Sequence, residues 1–83
     1  MDIFSVIKTI ILEETEYDKL ILSSTYLQKD IMLDSLNLTR LIVTLEERMN
    51  IEIDMGLLMH QSLETVDDLC NLMKKSIEQG RQV

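Results

Sequence analysis

The sequence predicts an all-α fold: a small bundle of three long helices plus one short helix, with a long loop between the first and second helices. Three observations point there. Apolar residues recur at three-and-four spacing in three separate stretches, the first of these does not alternate with period two despite its β-branched residues, and with no Pro and only Gly56 and Gly80 to punctuate the chain, periodicity carries the reading. A chain this short builds one hydrophobic core, so residues 1–83 are expected to form a single domain.

Asp2 can cap a first helix running from about Ile3 to Glu14, whose apolar positions Ile3, Phe4, Ile7, Ile10 and Ile11 share one face while Glu13 and Glu14 face water. The β-branched residues of this stretch also suit a strand, but the pattern lacks strand alternation. Thr15 to Leu33 shows no sustained period. A connection that long needs anchors, and Leu20, Leu22, Leu27, Ile31 and Leu33 are the expected ones, with Ser23-Ser24-Thr25 turning the chain. The second helix carries the stripe Leu38, Leu41, Ile42, Leu45 and Met49, with Asp34 or Ser35 as its cap. Ile51-Glu52-Ile53-Asp54 leads out of it, and Met55 to His60 is expected to form the short helix, capped by Asp54. The last helix repeats the stripe with Val66, Leu69, Cys70, Met73 and Ile77, and Thr65 with Asp68 makes a variant of the capping box at its start.

Composition excludes several function classes. Asp and Glu total 15 against 8 Lys and Arg, a formal charge of −7, so a nucleic-acid backbone would be repelled. One Cys and one His assemble neither a structural zinc site nor an internal disulfide, and the cysteine count points to a reducing compartment. No signal peptide is visible, since Asp2 follows Met1 and the apolar run Ile10-Ile11-Leu12 stops at Glu13. No run approaches the roughly 20 apolar residues of a membrane span, and no polybasic surface supports peripheral attachment. A cytoplasmic protein without membrane insertion is the expectation.

The place where chemistry could sit is Asp34-Ser35-Leu36, where the irregular segment turns into the second helix. Asp-Ser before an apolar stripe is an ordinary capping signal and is complete without a function. Ser35 has no support as a catalytic nucleophile: the only His is His60, and no Gly-x-Ser-x-Gly elbow surrounds the serine. A hydrolase thus lacks both a base and an oxyanion-hole motif, and no catalytic or metal-binding residue is assigned.

A wider window carries more. The run Leu27-Gln28-Lys29-Asp30-Ile31-Met32-Leu33-Asp34-Ser35-Leu36, then Leu41-Ile42-Val43-Thr44-Leu45-Glu46-Glu47-Arg48-Met49-Asn50-Ile51-Glu52-Ile53, resembles the acyl carrier proteins and the related peptidyl carrier domains. Thr65-Val66-Asp67-Asp68-Leu69 is similar to the start of that family's last helix. The resemblance implies that Ser35 is esterified with 4′-phosphopantetheine taken from coenzyme A, whose terminal thiol then holds an acyl or aminoacyl group as a thioester. The placement is physically sensible, because a phosphodiester at a helix N-terminus meets the positive end of the macrodipole. On this reading the protein is not an enzyme but a cosubstrate that enzymes load and unload. Asp34 contacts basic groups on the loading transferase as well as capping the helix, and Leu36 either borders the arm as an exposed contact or packs on the bundle.

The same resemblance makes the second helix a docking face, with Asn37, Arg40, Val43, Thr44, Glu46 and Glu47 off the buried stripe. The implied partners are a phosphopantetheinyl transferase, an acyl- or aminoacyl-loading enzyme, and the synthases or transferases of a pathway, met by a monomer that presents its arm freely. The chain departs from the fatty-acid type where Asn37 and Arg40 replace usual carboxylates, Met32 a usual Gly, and Asp54 a frequent Pro. These changes favour a dedicated polyketide, nonribosomal peptide or specialised lipid pathway. The rival is a small acidic adaptor whose second helix fills a partner's groove while Asp34-Ser35 only caps. His60 carries no assigned role. Cys70, Met49, Met73, Met55 and Met59 read as core packing, and the sharper alternative is a methionine-rich core that opens to shelter an attached chain.

Overall fold

The structure, a computed structural model, describes residues 2–53 and 63–78. Three helices organise it: α1 (Ile3–Glu14), α2 (Ser35–Met49) and α3 (Val66–Glu78). The expected short helix from Met55 to His60, with its cap Asp54 and with Met55, Met59 and His60, lies outside the described residues.

α1 begins where expected. Asp2 accepts the Phe4 amide at 3.2 Å and the Ser5 hydroxyl at 2.8 Å, which satisfies a donor that the first turn leaves without a helical partner. The helix stops at Thr15, whose backbone is extended and whose hydroxyl donates to the Ile11 carbonyl at 2.7 Å. Ile7, Ile10 and Ile11 are fully buried, and α1 packs against both α2 and α3. Each such side chain contributes roughly 1.5–3 kcal/mol relative to exposure, so this β-branched stretch is held helical by the packing of one face. Ile3 and Phe4 pack on the edge of the same core.

The long loop is a chain of turns fastened to the start of α3. Tyr26 and Thr65 form an isolated antiparallel bridge, flanked by Leu27 N–H to the Glu64 carbonyl at 2.8 Å and Val66 N–H to the Thr25 carbonyl at 2.9 Å. At Ser23-Ser24 the chain turns as expected: Thr25 N–H donates to the Leu22 carbonyl and Leu22 N–H to the Thr25 hydroxyl, so buried Thr25 is satisfied. Leu27, Ile31 and Leu33 are buried anchors. Leu20 and Leu22 are not: both are exposed, and Ile21 is the buried residue between them. In this irregular segment the core takes Ile21 alone and leaves both leucine neighbours in water.

α2 buries Leu41, Ile42 and Leu45, with Leu38 and Met49 at the margin of the core. It ends at Asn50 in the left-handed region (φ 53°), a residue type that tolerates that conformation. α3 opens on the expected reciprocal box: Asp68 N–H donates to the Thr65 hydroxyl at 3.2 Å, and Thr65 N–H donates to the Asp68 carboxylate at 3.0 Å. Val66, Leu69, Cys70 and Met73 are buried as the stripe predicts, but Ile77 is exposed, and Leu72 and Ser76 are fully buried instead. The burial of Ser76 is satisfied because its hydroxyl bonds to the Leu72 carbonyl at 3.0 Å, so a small polar side chain fits the interface at little cost.

Candidate attachment and docking site

The junction of loop and α2 is built by one carboxylate. Asp34, not Ser35, is the N-cap: its backbone is extended (φ −85°, ψ 179°), its Oδ1 accepts the Asn37 amide at 2.8 Å, and its carbonyl accepts the Leu38 amide at 2.9 Å. Ser35 is therefore the first helical residue. Its side chain is exposed, and its hydroxyl has no hydrogen-bond partner among the described residues. The amides of Ser35 and Leu36 find no acceptor there either, and no carboxylate stands in the first turn. An anion attached at this point would meet unpaired donors and the positive end of the helix.

Two exposed apolar residues flank Ser35 in sequence. Leu36 is 70% exposed, so it does not pack on the bundle. Met32 is 79% exposed and holds φ at 66°, a conformation that a methionine adopts only at a cost. The sequence signal for Met32 was its place where the resembling family usually has glycine.

The expected docking residues divide into two groups. Asn37, Arg40, Val43 and Glu47 are exposed. Thr44 is half-buried, its hydroxyl donating to the Arg40 carbonyl at 2.9 Å, with Glu14 Oε1 at 3.4 Å. Glu46 is also half-buried, and its Oε2 accepts the Ile53 amide at 2.9 Å, while its carbonyl accepts the Ile51 amide at 3.1 Å. Glu46 thus holds the exit of α2. Arg48 is tied to Glu13 at 2.7 Å, an exposed pair worth at most about 1 kcal/mol. Cys70 is buried in the core, and desolvation pushes its thiol above the usual cysteine range, with Asp67 adding to the effect. It packs as a small hydrophobe. No group of His, Cys, Asp and Glu among the described residues could hold a metal ion, and no helix among them is long and apolar enough to cross a membrane.

The family model for the phosphopantetheine attachment site matches residues 5–73, and the chain belongs to that family. Among solved structures it is similar to a holo acyl carrier protein from Geobacter metallireducens, determined in solution by NMR, at 26% identity and a TM-score of 0.74 over 96% of this chain and 91% of that one. No curated protein sequence matches significantly. The chain has an acyl carrier role with 4′-phosphopantetheine as its prosthetic group, and it delivers cargo instead of catalysing.

Proposed function

We propose that Ser35 is the attachment point and that the chain is a discrete monomeric carrier, working in the cytoplasm, for acyl or aminoacyl intermediates of a dedicated polyketide, nonribosomal peptide or specialised lipid pathway. The observation that carries the assignment is the exposed Ser35 hydroxyl at the first turn of α2, free of partners among the described residues. In loading, the hydroxyl oxygen forms a bond to the pantetheine-side phosphorus of coenzyme A, the pyrophosphate linkage breaks, adenosine 3′,5′-bisphosphate leaves, and the hydroxyl proton passes to a base of the transferase. The bound arm supplies a thiol for thioester chemistry. Asp34 presents the serine by capping the helix, and its second carboxylate oxygen remains available to basic groups of the transferase. Leu36 offers an apolar contact beside the arm. Asn37, Arg40, Val43, Thr44, Glu46 and Glu47 are the docking face, with Glu46 contributing through the helix exit that it holds.

The test is incubation of the purified protein with coenzyme A, magnesium and a set of phosphopantetheinyl transferases, read by intact mass. The expected result is one added phosphopantetheine on the wild type and none on Ser35→Ala with an unchanged circular dichroism spectrum. An unmodified wild type across several transferases, the native one included, favours the acidic adaptor.

A further inference from the structure

The face of α2 turned furthest from the core carries an ordered sequence of chemistries. Leu36, Arg40, Val43 and Glu47 recur at i, i+4, i+7 and i+11, which puts them in one stripe of about 60° at 3.6 residues per turn. All four are exposed, Leu36 at 70% and Val43 at 44%. From the Ser35 end outward the stripe reads apolar, cation, apolar, anion. Arg40 and Glu47 are about 10 Å apart along the axis, at 1.5 Å per residue, too far to neutralise one another.

Nothing among the described residues neutralises them either. Arg48, the other cation of α2, is paired with Glu13, and no salt bridge joins Arg40 or Glu47 to another described residue. Glu14 lines the same narrow crevice as Arg40 and Asn37, yet its Oε1 faces the Thr44 hydroxyl and no ion pair joins it to Arg40. At the other end, Val43 and Glu47 rim an open depression of about 420 Å³ that Glu46 and Glu52 also line. The stripe has its cation, Arg40, in the half beside the attachment serine and its anion, Glu47, about two turns further along the helix.

We propose that this polarity selects the carrier's partner enzyme: the partner surface seated on α2 places a carboxylate against Arg40 and a basic side chain against the Glu47 end, with apolar side chains on Leu36 and Val43. A uniformly basic docking surface, suited to a wholly acidic helix, meets a like charge at Arg40 and is rejected. Such juxtapositions act mainly on encounter rate and on discrimination between partners. The proposal rests on the carrier reading of Ser35 and adds to it the charge pattern of the partner.

The test uses the full chain loaded at Ser35 with a phosphopantetheine analogue bearing a thiol-reactive electrophile, incubated with an extract of its own cells. The trapped enzyme is identified, purified and used to measure trapping rates. Arg40→Glu is expected to lower the trapping rate about tenfold at low salt, Arg40→Lys to leave it near wild type, and the gap to close as salt screens the charges. Reversing the partner's carboxylate to lysine should restore the rate with Arg40→Glu. The proposal is overturned if Arg40→Glu traps as fast as the wild type or faster, if only a partner cation proves to lie against Arg40, or if the loaded wild type traps no enzyme. A protein that takes no label at Ser35 marks failure of the carrier reading itself, and the two failures are told apart by mass before any extract is added.

Discussion

α2 and α3 both begin on short polar side chains that accept backbone amides, yet their first turns end up in opposite conditions. At α3 the amides of Val66 and Asp67 donate to the carbonyls of Thr25 and Ser23, and that of Asp68 donates to the Thr65 hydroxyl. At α2 the Asp34 carboxylate takes only the Asn37 amide, and those of Ser35 and Leu36 are left without acceptors among the described residues. The difference comes from the long loop, which lays its own carbonyls over α3 before turning away to present α2. One helix start is closed by the chain and serves stability; the other is left open, at the place proposed for the arm.

The strongest way to break this comparison is to loosen the loop. Leu27 is fully buried, and its amide donates to the Glu64 carbonyl, so its side chain holds the loop carbonyls where α3 needs them. Leu27→Ala is expected to cost about 3 kcal/mol in urea unfolding, the typical loss for a buried leucine. It should also speed hydrogen exchange at Val66 and Asp67 while leaving the Asn37 amide protected. Leu20→Ala, at an exposed position of the same loop, should change stability by less than about 0.5 kcal/mol. Equal costs for the two would mean that the loop does not fasten α3.

A smaller effect sharpens the same contrast through pH. The Asp68 carboxylate accepts the amides of Thr65 and Glu64, and these bonds, Thr65's first, hold its pKa below the ordinary aspartate value of 3.8. A folded pKa below the unfolded one stabilises the protein fully at higher pH, and the contribution is lost as pH falls from about 3.8 through the lower folded value. Asp68→Ala is expected to cost about 1 kcal/mol at neutral pH, the usual loss for a cap. The gap between wild type and variant should shrink as the pH is taken below that range, measured by urea unfolding at each pH. A gap that stays constant to the acid limit would show that the carboxylate acts by shape and not by charge.

Most of the helical frame was legible because it rests on local rules: the boundaries of α1, the cap at Asp2, the reciprocal box of Thr65 and Asp68, and the stripes of α2 and α3 each follow from a few neighbouring residues. The loop was harder. Thr15 to Leu33 lacks a period, and which of Leu20, Ile21 and Leu22 faces inward is settled by how the loop lies on the core, with its far end tied to α3 at the bridge of Tyr26 and Thr65. Ser76 escaped notice for a related reason: a serine reads as surface until its hydroxyl is seen bonded within its own helix. At the candidate site, which residues of α2 lie off the buried stripe was readable, but the engagement of Glu46 with the Ile53 amide arises from how the chain leaves α2. Spacing along the helix says nothing of that return.

The smallest expected effect concerns the residue just ahead of the open helix start. Met32 sits at φ 66° with 79% of its surface exposed, so it bears the cost of a left-handed backbone without the return of burial. That cost is about 1–2 kcal/mol for a side chain with a Cβ, and glycine removes it while giving back part of the gain through the greater freedom of its unfolded chain. Met32→Gly is therefore expected to stabilise the fold by somewhat less than about 1 kcal/mol, a rise of a few degrees in Tm for a chain of this size. Destabilisation instead would mean that the methionine side chain supports the approach to α2. With the fold stabilised, loading of Ser35 should stay at the wild-type rate, since the cap at Asp34 is untouched. If the partner enzyme's rate on the loaded carrier falls, the strain is being held to display an apolar side chain beside the arm; if the rate is unchanged, the methionine is strain without a function.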